Sequence, residues 1–198
     1  MFYDATTNDH GLKHDPFKAL IVPRPIGWIS TVSMAGVLNL APYSFFNGVS
    51  TDPHIVMFAS AGRKDSLRNA EETGQFVCNL ASWDQREAMN MSSATVGPEI
   101  DEFALAGLEK EPSRLVKPPR VKGAPAHFEC VWLTTVPLVS RDGRHSYDMV
   151  LGEVVGIHID DRFVADGMVD TAAMKPIARL GYHDYSVVDE VFTLKRPR

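Results

Sequence analysis

Arg24-Pro25-Ile26-Gly27-Trp28-Ile29-Ser30-Thr31-Val32-Ser33 runs up to Met34-Ala35-Gly36 and returns through Asn39-Leu40-Ala41-Pro42-Tyr43-Ser44-Phe45-Phe46-Asn47. Two short apolar runs around a turn that ends in glycine are the sequence form of a β-hairpin. We expect its strands over residues 28–33 and 37–40. Residues 45–50 and 55–59 read as two more strands, separated by Thr51-Asp52-Pro53. The segment closes on Ser60-Ala61-Gly62-Arg63-Lys64-Asp65-Ser66, just ahead of a helix. Asp65 is the expected N-cap, the helix runs to about Thr73, and Gly74 suits its C′ stop. Two strands rich in small hydroxyls, with one cationic loop at a helix start, suit a planar ligand with a phosphate tail.

Outward from this segment the pattern stays mostly strand. Residues 76–80 read as a strand. Ser82, with Gln85 three residues on, is the signature of a capping box and opens a helix to about Met91. A short helix is expected over residues 99–106, ending at Gly107. Residues 108–126 read as loop. Residues 127–136 and 147–159 are the longest strand candidates, residues 169–174 hold a turn or two of helix, and 187–194 is a weak strand. There is no long alternation of strand and helix, so a doubly wound parallel sheet is not expected. Short antiparallel strands with helices between them point to a small decorated barrel.

The chain has 198 residues, a length for one domain with a real core, and we expect a single domain over residues 1–198. Twenty basic side chains face twenty-five acidic ones, a net charge of −5, which argues against nucleic acid as a partner. The basic stretch 110–122 is broken by Glu111, Pro112, Pro118 and Pro119, with Pro125 just beyond, and reads as a loop. No apolar run reaches the length of a membrane span. Residues 1–16 are polar and lack the layout of a signal peptide, so a cytoplasmic, membrane-free protein is expected. Cys78 and Cys130 sit in apolar runs with no Cys-x-x-Cys spacing and read as buried free thiols.

The loop of residues 60–66 carries the strongest chemical signal. A helix N-terminus offers free amides and the positive end of its dipole. Gly62 allows close approach, Ser60 and Ser66 offer hydroxyls, and Arg63 and Lys64 offer charge. Together they suit an anion; the plainer alternative is a solvated helix start. The spacing is not that of a Walker loop. The second signal is Pro42, which has no N–H to give to a ladder, so regular pairing must break there. That frees backbone groups of Leu40, Ala41 and Tyr43, with Ser44, Asn47, Ser30 and Thr31 nearby as donors and acceptors. A strand-end bulge is the plainer alternative.

These motifs, with Val150-Leu151-Gly152-Glu153-Val154-Val155 and Pro176-Ile177-Ala178-Arg179-Leu180-Gly181-Tyr182, resemble in order the flavin reductase-like family, in its flavoredoxin-like branch. The resemblance implies a mainly β fold with short helices, the FMN-binding split β-barrel. It implies FMN held noncovalently at a homodimer interface. By the same resemblance Ser30, Thr31 and residues 39–44 edge the ring and ribityl chain, while Ser60, Arg63, Lys64 and Ser66 hold the phosphate. Ser66 stands where the family often has threonine, and Tyr182-His183 where it often has another glycine.

The resulting expectation is an oxidoreductase, an NAD(P)H-dependent flavin reductase. Its reduced flavin would pass electrons to a second flavin, oxygen, a small acceptor or a partner such as an oxygenase. With no Gly-x-Gly-x-x-Gly, NADH or NADPH would fold against the flavin without a domain of its own. The alternatives are a bound-FMN electron carrier that does not turn over NAD(P)H, and a binding module of the same barrel for another planar ligand such as haem. Arg179 is the leading catalytic candidate, with His158 and His183 behind it. Glu153, within an apolar strand, is a candidate buried partner for a basic group. His10, His14, His54, His127 and His145 share no ligand spacing, so no metal is assigned.

Overall fold

A computed structural model describes residues 1–197. The strands in chain order are Arg24–Pro25 (β1), Gly27–Val32 (β2), Leu38–Tyr43 (β3), Phe46–Thr51 (β4), His54–Ala61 (β5), Gln75–Leu80 (β6), Lys110–Glu111 (β7), Arg120–Val121 (β8), Ala126–Val139 (β9), His145–Ile159 (β10), Val164–Ala165 (β11), Met168–Val169 (β12), Ile177–Arg179 (β13) and Tyr185–Val187 (β14). The helices are Phe17–Leu20 (α1), Asp65–Thr73 (α2), Arg86–Met91 (α3), Glu102–Leu105 (α4) and Thr171–Met174 (α5). Among the described residues, no helix is long and apolar enough to cross a membrane.

Seven strands form one sheet in the order β3-β2-β6-β9-β10-β5-β4, and every pairing is antiparallel. The two edge strands, β3 and β4, are consecutive in the chain and are joined only by Ser44 and Phe45. Two residues span only about 7 Å, so the sheet must roll until its edges meet. No ladder joins β3 to β4, which leaves the barrel split at this seam. Beside it, β1, β13 and β14 form a small second sheet.

One core cluster fills the barrel, with Ile29, Phe58, Leu67, Phe76, Cys130 and Val150 all but sealed from solvent. A second joins Trp28, Leu40, Met89, Phe103, Val121 and Ile177 beneath the helices. Trp28 belongs to this interior, fully sealed from solvent. The Trp28 indole N–H donates to Ser92 Oγ at 2.9 Å, which ties the segment after α3 to the barrel. Cys78 and Cys130 are both free and buried, as expected.

Several local expectations need correction. Asp65 is the first helical residue and not the cap; the cap position is Lys64, with no side-chain bond, and Asp65 pairs instead with Arg68. Gly74 does take the left-handed stop, at φ 72°. The capping box at Ser82 and Gln85 does not form, because the Gln85 amide reaches across to the carbonyl of Lys122 at 2.9 Å. That segment is a 3-10 turn, Trp83–Gln85, running into α3. The helix expected over residues 99–106 is only α4, capped by Asp101, which accepts from Phe103 N and Ala104 N. The loop 108–126 contains the β7–β8 pair, and the tail strand stops at Val187. Glu153 is half-buried and has no ion pair among the described residues; Glu129 of the same sheet is fully sealed and faces His158.

Candidate functional site

The split in the barrel opens into a cavity of about 410 Å³. β3 brings Asn39, Ala41, Pro42 and Tyr43, and Ser44 and Phe45 follow at the crossing. β5 brings Ala59 and Ala61, and the start of α2 brings Lys64, Asp65 and Ser66. The opposite wall is residues 92–96, with Lys18, Glu102 and Tyr147 completing it. The break in pairing expected at Pro42 does not occur: Pro42 pairs with Trp28 and Tyr43 with Gly27 in register, because on an edge strand the missing N–H costs no ladder bond.

Behind this wall lies a polar network. The Asn39 amide donates to Ser66 Oγ at 2.9 Å and to Thr31 Oγ1 at 3.1 Å. The Asn69 amide donates to the same Thr31 oxygen at 3.1 Å, while its own Oδ1 is buried without a partner. Burial pushes the Tyr43 phenol up from its ordinary pKa, against the pull of its bonds to Ser66 and Ser60. Ser60 also donates to the Gly62 carbonyl at 2.7 Å, and Gly62 N–H donates to the Ser146 carbonyl at 3.1 Å, which pins the loop to β10. Glu102 accepts from Leu40 N–H at 3.0 Å, and burial raises its pKa. α2 therefore points an N-terminus with no side-chain cap at a hydroxyl-lined cavity, with the Lys64 ammonium beside it.

The expected site residues divide by position. Asn39, Ala41, Pro42, Tyr43, Ser44, Lys64 and Ser66 line the cavity. Thr31 and Ser60 stand one hydrogen bond behind it. Ser30 turns the other way and donates to the Pro119 carbonyl at 2.6 Å. Leu40 is sealed in the second core cluster, and Asn47 is exposed on β4. Arg63 is held by Glu71 and does not line the cavity.

His158 lies elsewhere, against the buried Glu129. Burial alone would raise the Glu129 carboxyl, but donors from Arg114, Leu115 and Val116 N–H and from His158 outweigh it and hold the pKa down. His183 and Arg179 line a separate groove toward Trp83. Sequence reasoning did not single out Lys18, Glu102, Tyr147 or residues 92–96. The run Ser92-Ser93-Ala94-Thr95 was readable as a small hydroxyl-rich segment; what seats it at the cavity is the nonlocal bond from Trp28.

A side chamber of about 210 Å³ adjoins the cavity and shares Lys18, Pro42, Ser44 and Ser93 with it. Its remaining wall includes Arg24, Met89, Arg179, Tyr182 and Tyr185. Tyr182 has φ +56°, a left-handed conformation more usual for glycine. Gly181 before it has no room for a side chain, since a Cβ there would stand 2.5 Å from Ala19 Cβ.

Among solved structures, nitrilotriacetate monooxygenase component B from Bacillus cereus is 33% identical, with a TM-score of 0.88 over 98% of both chains. The 2-nitrobenzoate 2-nitroreductase of Pseudomonas fluorescens is 26% identical, with a TM-score of 0.87 over 100% of this chain and 96% of that one. A Shewanella frigidimarina protein with a split barrel domain shares the fold at a TM-score of 0.83 and 22% identity, covering 98% of this chain and 94% of that one. Residues 19–184 match the family described as flavin reductase like domain, and the split-barrel architecture agrees: the chain belongs to that family.

Proposed function

We propose that the chain is an FMN-binding oxidoreductase that accepts hydride from NADH or NADPH. The observation that carries this reading is the seam cavity, where an uncapped helix start and a lysine face a hydroxyl-lined space of ligand size. The residues fit FMN. Lys64, Ser66 and the first amides of α2 suit the phosphate, while Asn39, Ala41, Pro42, Tyr43 and Ser44 offer a strand edge to the ring and ribityl chain. Thr31 and Ser60 orient those groups from behind. Ser30, Leu40 and Asn47 shape the strands on either side, and Arg63 would join the phosphate only by leaving Glu71. The FMN, when bound, supplies the hydride-accepting ring; the protein supplies position and electrostatics.

Only the nicotinamide end of the dinucleotide would enter the side chamber, past Arg179 and Tyr182, and it would leave before an electron acceptor takes its place. The electrons then leave to a partner oxygenase component or to a small acceptor, a reading supported by the likeness to a monooxygenase component and to a nitroreductase. A second copy of the chain is the expected homodimer partner. Val131 and Leu133 on β9, and Val155 and Ile157 on β10, are exposed apolar side chains of the kind that such a partner covers. Light scattering should give the mass of a dimer. The smallness of the side chamber favours the alternative of an electron carrier without NAD(P)H turnover.

Anaerobic stopped-flow mixing of the FMN-loaded protein with NADH or NADPH separates the two. Bleaching of the flavin band that slows in Arg179→Ala is the expected result. Reduction by dithionite but by neither nucleotide would establish the carrier.

A further inference from the structure

We propose that the side chamber is a carboxylate site, so that the small molecules brought to the seam cavity are organic acids. This inference deepens the functional reading above and rests on it for the word substrate; the anion site itself does not.

The chamber carries uncompensated positive charge. Three cations, Lys18, Arg24 and Arg179, line the chamber, and no Asp or Glu lines it. Among the described residues none of the three has a carboxylate partner. Arg24 is only 7% exposed. Its Nη1 donates to the Lys18 and Ile21 carbonyls, and its Nη2 to the Leu180 carbonyl at 2.7 Å. Its Nε–H is enclosed and has no acceptor. These carbonyls satisfy hydrogen bonds but carry no net charge. Burial, and then the neighbouring Arg179, hold the Arg24 pKa below its usual value.

Arg179 is likewise engaged only by neutral groups, the Tyr185 hydroxyl and the Tyr182 carbonyl, and lies over the Tyr185 ring at 4.5 Å. Carboxylates stand only outside the chamber, Glu87 in the groove that Arg179 also lines and two in the seam cavity. There Asp65 is paired with Arg68, and Glu102 is occupied by Leu40 N–H. A buried guanidinium without a counter-charge is costly, and an anion in the chamber offsets that cost.

Shape narrows the anion. The chamber of about 210 Å³ is below the usual range for a drug-sized ligand and well short of a dinucleotide. Ile26, Met89, Tyr182 and Tyr185 add apolar and aromatic wall, which suits a flat organic body. The neck shared with the seam cavity then directs that body toward the cavity, with its carboxylate against the arginines. A dinucleotide would offer the same oxyanion chemistry through its pyrophosphate.

The test is calorimetric titration of the protein, with FMN and without it, using benzoate, neutral benzamide and inorganic pyrophosphate. We expect saturable benzoate binding, benzamide at least tenfold weaker, and pyrophosphate no tighter than benzoate. Lys18→Gln and Arg179→Gln should each weaken benzoate at least fivefold while keeping the parent's melting temperature. Those positions are chosen because Arg24→Gln also removes the bonds that hold α1 to the Leu180 turn. Equal binding of benzoate and benzamide, no saturable benzoate binding, or tighter pyrophosphate than benzoate would each overturn the carboxylate site. Failure of FMN to bind while benzoate still does would overturn the functional reading and leave the chamber standing.

Discussion

Lys64 and Arg63 are neighbours in sequence but not in role. Lys64 lines the seam cavity, whereas Arg63 leans back onto Glu71. Lys64→Ala should weaken FMN binding ten- to a hundredfold, in line with about 1.5–3 kcal/mol for a charged hydrogen bond, and Arg63→Ala should weaken it by less. Fluorescence titration of the apoproteins measures both; the reverse order would show that Arg63 leaves Glu71 for the phosphate. His127 gives a residue-scale prediction about pH. Its ring is 5% exposed, its Nε2 faces the Val121 carbonyl at 2.9 Å, and its Nδ1 has no partner. Burial depresses its pKa to about 4, so the folded state holds the ring neutral where the unfolded chain binds a proton. This contribution is fully present above about pH 6.5 and is lost as pH falls toward 4, a change on the order of 3 kcal/mol. Denaturant unfolding at pH 7, 5.5 and 4 should show that loss in the parent and a flatter profile in His127→Asn. Parallel profiles would contradict it.

At the scale of elements, what was legible depended on whether the signal was local. The β2–β3 hairpin, the α2 stop at Gly74 and the two long strands follow from alternation and from glycine placement, which act within a few residues. The caps were not legible, because a cap is a competition among neighbours. Asp65 lost that position to Lys64, and Asp101, unremarked in the sequence, took it for α4. Gln85 was drawn off by a carbonyl 37 residues away. The choice between Glu129 and Glu153 was equally nonlocal. Both sit in apolar strands, but the loop of residues 113–119 folds over Glu129, which accepts the N–H groups of Arg114, Leu115 and Val116. Glu129→Ala leaves three backbone donors unpaired, that of Val116 buried, and should cost about 2–3 kcal/mol, with Glu129→Gln intermediate. Protease cleavage within residues 112–119 should rise in the same order. An unchanged loop in Glu129→Ala would mean that it is held by Ser30 and Gln75 alone, through Pro119 O and Lys117 N.

At the scale of the molecule, the topology itself places the site. A seven-stranded sheet whose edge strands are joined by Ser44 and Phe45 must roll, yet β3 and β4 stay unpaired at the seam. The opening so created meets the start of α2. The loop before α2 and the edge strand at Pro42, read separately in the sequence, are thereby two walls of one cavity. The side chamber was not legible, since Lys18, Arg24, Met89 and Arg179 converge only when the second small sheet docks beside the barrel. FMN binding at the seam depends most heavily on a phosphate at the α2 N-terminus. Its most direct test is the affinity of the apoprotein for FMN against that for riboflavin, by fluorescence or calorimetric titration in the same buffer. FMN should bind tighter by at least about two orders of magnitude, because riboflavin lacks the phosphate contacts of Lys64, Ser66 and the helix amides. Equal affinities would contradict it.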